Sequence, residues 1–216
     1  MKWPDIQCLT IDGFILSHEA QVLALCGVGA EWIQLRMKEA SDSEVEETVR
    51  RCLPVCHAAG ARLIVNDRIE IAIKTGADGV HLGSLDMGWA QARELVGDDF
   101  IIGGTINSAD DAERAAEFGA LDYVGVGPFR FTQTKKNLAP TLTSDQWQDI
   151  LQILGKLPSY AIGGIRIEDL PAVRQKGVTG FAVSSGLFGE AGVQALYREY
   201  QKGWAEAQLA TQKESL

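Results

Sequence analysis

The stretch Gly76-Ala77-Asp78-Gly79-Val80-His81-Leu82-Gly83 decides the fold. Gly76 can close a helix with a positive φ, after which the chain turns directly into a short apolar strand. The same signal stands at Gly60-Ala61, at Gly119-Ala120-Leu121-Asp122 and at Gly177-Val178-Thr179-Gly180. Outward from these points, β-rich runs alternate with longer amphipathic ones along the whole chain. Strands are expected at Cys8–Ile11, Trp32–Arg36, Arg62–Asn66, Gly79–Leu82, Ile101–Gly104, Tyr123–Val126, Tyr160–Gly163 and Phe181–Ser184. Between two of them, Val45, Val49, Leu53 and Cys56 recur at helical spacing, so Ser43 to Ala59 reads as a helix with Asp42 or Ser43 as its cap. Near-continuous apolar strands suit a parallel sheet covered by helices. Eight such units in 216 residues predict an α/β fold, a parallel eight-stranded (β/α)₈ TIM barrel. An open doubly wound sheet is the alternative, but no GxGxxG follows the first strand.

No linker or low-complexity segment divides the chain. Residues 1–207 read as one catalytic domain and 208–216 as a polar, frayed tail. With 46% hydrophobic and 23% charged residues the composition is that of an ordinary globular protein. The formal charge of −9 argues against general nucleic-acid binding, although a local cationic pocket for a phosphorylated substrate remains compatible with it. No apolar run approaches the roughly 20 residues of a membrane span, and no long apolar leader opens the chain. The expected location is the cytoplasm. Cys8, Cys26, Cys52 and Cys56 read as packed or half-exposed thiols rather than metal ligands. A homo-oligomer is compatible with the sequence, which does not set the number of subunits.

In a barrel of this kind chemistry sits at the C-terminal ends of the strands. Gln34, Arg36 and Lys38 alternate with Leu35 and Met37, which puts the three polar groups on one side of strand 2. A guanidinium and an ammonium together suit phosphate. Asp67 and Asp86 follow adjacent strands. They read either as helix caps or as a pair of oxygen ligands for Mg²⁺, and their shared rim favours the metal. Gly163-Gly164 after strand 7 and Ser184-Ser185-Gly186 after strand 8 leave bare backbone where barrels bind phosphate. The long segment after strand 6 carries Thr132, Thr134, Lys135 and Lys136 and reads as a functional loop. His18 and His57 are expected on helices as surface or filling residues, and His81 as a structural histidine.

These pieces, in their order and spacing, resemble thiamine phosphate synthases over nearly the whole chain. The matching motifs are Gln34-Leu35-Arg36-Met37-Lys38, Leu63-Ile64-Val65-Asn66-Asp67-Arg68, Gly76 to Gly83 with Asp86-Met87, Tyr123-Val124-Gly125-Val126-Gly127-Pro128, Thr132-Gln133-Thr134-Lys135-Lys136 and Ala161-Ile162-Gly163-Gly164-Ile165. The resemblance implies a transferase that couples 4-amino-5-hydroxymethyl-2-methylpyrimidine diphosphate to 4-methyl-5-(2-phosphooxyethyl)thiazole. Thiamine phosphate and pyrophosphate are released by a Mg²⁺-assisted dissociative displacement. It further implies that Gln34, Arg36, Lys38, Asn66 and Lys135 contact the pyrimidine diphosphate, that Asp67 and Asp86 hold Mg²⁺, and that Thr132, Thr134, Gly164, Ser184 and Ser185 serve the thiazole phosphate. Arg36, Lys38 and Lys135 would neutralise the leaving group. The chain departs from the family's pattern at Thr105, where Ser is common, and at Phe129-Arg130-Phe131, where a proline-rich run is usual. Two other readings stay open on the residues alone: a thiazole tautomerase, which would move a proton, and a noncatalytic binding protein of thiamine synthesis.

Overall fold

The computed structural model describes residues 3–130 and 140–214, with side chains to Thr211. Its elements run β1 (Ile6–Leu9), α1 (His18–Gly27), β2 (Trp32–Leu35), α2 (Asp42–Ala58), β3 (Arg62–Asn66), α3 (Ile69–Thr75), β4 (Gly79–Leu82), α4 (Trp89–Val96), β5 (Ile101–Ile106) and α5 (Ala109–Phe118). They continue with β6 (Tyr123–Val126), α6 (Ser144–Leu154), β7 (Ser159–Ile162), α7 (Leu170–Gln175), β8 (Gly180–Val183) and α8 (Val193–Glu214). Short 3₁₀ turns at Ile167–Asp169 and Ser185–Leu187 follow β7 and β8. The strands are parallel and close in sequence order, β8 pairing with β1, so the molecule is a (β/α)₈ barrel. α8 continues past Gln208, where the sequence reading ends the domain. No helix among the described residues is long and apolar enough to cross a membrane.

Three strands begin earlier than expected. β1 spans Ile6–Leu9 rather than Cys8–Ile11, because the Phe181 N–H bonds the Asp5 carbonyl and Ile6 pairs with Phe181. β7 and β8 start and stop one residue earlier for the same reason: ladder partners, not apolarity, set their ends. β5 runs on to Ile106, since Thr105 and Ile106 pair with Gly125 and Val126. α2 is capped by Ser41 rather than Asp42 or Ser43. The Ser41 hydroxyl accepts from the Glu44 N–H while the Glu44 carboxylate returns a bond to Ser41.

Strand alternation splits the core in two. Ile33, Leu35, Leu63, Val65, Val80 and Val124 face outward and pack under the helices. Trp32, Ile64, Ile101, Tyr123 and Tyr160 fill the lumen as a separate cluster. The lumen is tight enough to require a missing side chain: a Cβ on Gly103 would stand 2.2 Å from Cζ of Tyr123. Packed aromatics therefore close the lower barrel, and the side chains above them form the floor of the mouth.

Candidate active site

A cavity of about 490 Å³ opens above that floor. Its lining includes Gln34, Arg36, Lys38, Asn66, Asp67, Asp86, Thr105, Gly164, Ser184 and Ser185. Thr132, Thr134 and Lys135, with Lys136, lie outside the described residues.

Above Trp32, β2 turns Gln34 inward, while Leu35 and Met37 join the outer core. The Gln34 Nε2 and, from β3, the Asn66 Nδ2 are buried with no hydrogen-bond partner among the described residues. An orphaned buried donor costs about 1–3 kcal/mol. Two of them at the wall of one cavity offer paired donors to a bound acceptor. Arg36 is 13% exposed, its backbone N–H bonded to Thr10 Oγ1 at 2.9 Å and its guanidinium 3.7 Å from Asp12. Burial pulls the Arg36 pKa below its ordinary value, against the charges of Asp12 and Asp67. Asp12 also accepts from the Lys38 N–H at 3.2 Å and from His18 Nε2 at 3.2 Å. His18, whose other ring nitrogen meets Thr10 Oγ1 at 2.8 Å, is thus not merely a surface or filling residue: it stands behind the acid that supports Arg36. Burial lowers its pKa, Asp12 opposes that shift, and Arg36 adds to it.

Neither Asp67 nor Asp86 caps a helix. The caps of α3 and α4 are Arg68 and Gly88, with no side-chain bond at either. Asp67 holds a left-handed backbone at φ 67°, rare for a residue other than glycine, with its N–H on the His81 carbonyl. Its carboxylate pairs with the Lys38 ammonium. Asp86 accepts the Gly83 N–H at 2.6 Å. Burial raises the Asp86 pKa, the Gly83 N–H opposes the rise, the facing Asp67 carboxylate adds to it, and Lys38 again opposes it. No cluster of three or more His, Cys, Asp or Glu side chains forms a metal site among the described residues. The arrangement is instead an all-oxygen pair, Asp67 facing Asp86, a donor set that fits a hard divalent cation.

Across the mouth, Gly163 and Gly164 adopt φ of 105° and 64°, conformations open to glycine at little cost. They let the chain double back so that the Phe129 and Arg130 N–H groups bond the Ile162 and Gly163 carbonyls at 2.8 and 2.9 Å. Arg130 also pairs with the buried Asp169, which accepts from the Arg166 N–H at 2.9 Å. Ser184 and Ser185 enter the 3₁₀ turn after β8 beside this bend. Sequence reasoning passed over Asp12, Arg130 and Arg166, whereas His81, read as a structural histidine that could face the barrel interior, does line the cavity. Alternation along β4, which turns His81 inward beside the outward Val80 and Leu82, carries that reading.

A family model described as "Thiamine monophosphate synthase" matches residues 12–187. The chain is 47% identical over 173 residues to "Thiamine-phosphate synthase" of Bacteroides fragilis, covering 78% of this chain and 84% of that relative. It is 48% identical over 170 residues to the protein of the same name from Bacteroides thetaiotaomicron, covering 77% and 80%. Among solved structures, a thiamine phosphate pyrophosphorylase from Pyrococcus furiosus superposes with a TM-score of 0.83 at 30% identity, over 94% of this chain and 96% of that one.

Proposed function

The chain belongs to the thiamine monophosphate synthase family, and on that premise we propose how its barrel mouth performs the family's condensation. The enzyme joins the pyrimidine diphosphate to the thiazole phosphate, giving thiamine phosphate and pyrophosphate. One observation carries the assignment of roles: a single cavity is lined by every described candidate residue, with two orphaned amide donors in its wall.

Gln34, on β2, and Asn66, on β3, offer those donors to the pyrimidine diphosphate from buried positions. Arg36 and Lys38, with Lys135, meet the diphosphate and stabilise the charge that gathers on it as the methylene C–O bond breaks. Asp67 and Asp86 would hold Mg²⁺, which neutralises diphosphate charge and so improves the leaving group. Gly164, Ser184 and Ser185, with Thr132 and Thr134, hold the thiazole phosphate and aim the thiazole nitrogen at the methylene. Thr105 contacts the pyrimidine diphosphate. The attacking nitrogen carries no proton, so the reaction asks for no general base. Packed thiols and biosynthetic relatives suit a cytoplasmic enzyme.

Product formation with both substrates and Mg²⁺ tests the reaction, and Gly164→Val tests the division of the cavity. A valine at φ 64° is strained and covers the bare backbone. The KM for the thiazole phosphate is expected to rise about tenfold, with a smaller change for the pyrimidine diphosphate. Equal changes in both would remove the separate phosphate pocket from the assignment.

A further inference from the structure

Beneath the cavity, a line of hydrogen bonds crosses the barrel from β1 to β5. Gln7 Nε2 donates to the Tyr123 hydroxyl at 3.0 Å, that hydroxyl meets His81 Nδ1 at 3.0 Å, and His81 Nε2 meets Thr105 Oγ1 at 3.0 Å. Gln7, Tyr123 and His81 are buried, and Thr105 lines the cavity. An amide N–H can only donate. The Tyr123 oxygen therefore receives from Gln7, and its own proton can go to His81 Nδ1 or to the side chain of Gln34 beside it; the relay takes the first course. A neutral imidazole accepting at Nδ1 carries its proton at Nε2, where it donates to Thr105. With the Thr105 oxygen engaged in this way as an acceptor, its single proton is free to face the cavity that Thr105 lines. With that tautomer every link runs in one direction.

We propose that Gln7, Tyr123 and His81 form a buried relay that fixes the Thr105 hydroxyl as a hydrogen-bond donor into the cavity, so that Thr105 selects an unprotonated acceptor on the pyrimidine diphosphate. The inference rests on the reading that this substrate occupies the cavity. His81, Tyr123 and Gln7 act through Thr105 and are positioning residues. The packing suits a device that must not rotate. Tyr123 stands edge-on to Trp32 and Tyr160, with ring centroids 4.5 and 6.0 Å away. The absent side chain at Gly103 clears its hydroxyl end, which a Cβ there would approach to 2.5 Å. The acceptor is a ring nitrogen or a diphosphate oxygen, and both present a lone pair where a donor is fixed.

Two measurements test this. In ¹⁵N NMR of histidine-labelled protein, with His18→Gln and His57→Gln used for assignment, His81 is expected as the neutral tautomer with its proton on Nε2. A proton on Nδ1, or on both nitrogens, overturns the relay whatever the enzyme's substrates prove to be. Kinetically, Thr105→Val and Tyr123→Phe should each lower kcat/KM for the pyrimidine diphosphate about tenfold, the scale of one hydrogen bond. The double variant should lose little more than either single one, and the KM for the thiazole phosphate should stay put. Thr105→Ser keeps the hydroxyl and should lose less than Thr105→Val. Additive losses, or an unimpaired Tyr123→Phe, overturn the proposal. A pyrimidine analogue lacking the ring nitrogen should lose its disadvantage in Thr105→Val if the ring is the acceptor, and keep it if the diphosphate is. Should NMR give the expected tautomer while no turnover occurs with these substrates, the relay stands and the substrate reading falls.

Discussion

Asp12 shows how one carboxylate can serve a site from outside it. It takes the Lys38 N–H, stands 3.7 Å from the Arg36 guanidinium and meets His18, so both cations leave β2 along a path that it sets. An ion pair of this length is weak as a contributor to stability, and its value lies in orientation. Asp12→Asn keeps an oxygen for the Lys38 N–H but removes the charge facing Arg36. The expected result is a fall of about tenfold in kcat/KM for the pyrimidine diphosphate, with the KM for the thiazole phosphate and the melting temperature nearly unchanged. Steady-state kinetics with each substrate varied in turn checks this, and a matched loss for both substrates would count against it. Alternation exposed Arg36 and Lys38 in the sequence because neighbouring residues carry that signal. Asp12 and His18 are brought to Arg36 across strands, and no local spacing announces them.

At the scale of elements, period and punctuation made the alternation of strands and helices legible. Glycine ends α3 and α5 with left-handed φ of 70° and 56°, as the turn signals imply. Ends were less legible, because they depend on partners. Nothing in Cys8–Ile11 reveals that Ile6 pairs with Phe181, on the last strand. α2 illustrates the competition at a cap. Ser41, Asp42 and Ser43 are all good caps, and both serines have a glutamate three residues later; Glu44 bonds back to Ser41, whereas Glu46 pairs with Arg50 and Lys74. Behind that cap α2 buries Val45, Val49, Cys52 and Cys56 at the barrel wall. Ser41→Ala should therefore cost about 1 kcal/mol, a fall in melting temperature of about 2–4 °C for a domain of this size. Thermal unfolding by circular dichroism reads it. A fall of the same size in Ser43→Ala, which caps nothing, would contradict the assignment.

Across the whole molecule the carboxylate pair sets function against stability. The chain carries a formal charge of −9, and its mouth adds to that burden by turning Asp67 and Asp86 toward one another. Burial first, and the Asp67 carboxylate after the opposing Gly83 N–H, raise the Asp86 pKa in the folded state. A carboxyl with a raised folded pKa favours folding while it is protonated. Its ionisation costs stability, beginning as pH climbs past the ordinary carboxylate value of about 4 and complete above the raised value. At neutral pH without metal the pair is therefore a liability, and a divalent cation held by both oxygen sets would reverse it. Asp86→Asn keeps an oxygen for the Gly83 N–H and deletes the charge. In metal-free buffer at pH 7 the variant should melt at or slightly above the wild type, and that margin should close as the pH falls toward 4. Millimolar Mg²⁺ should raise the melting temperature of the wild type and leave the variant nearly unmoved. Turnover in the variant should drop at least about 10²-fold, the scale of one lost charge-stabilising group. Melting curves at two pH values, with and without Mg²⁺, separate the outcomes. A variant less stable than the wild type without metal, yet equally stabilised by Mg²⁺, would mean that Asp86 is structural and that the cation sits elsewhere.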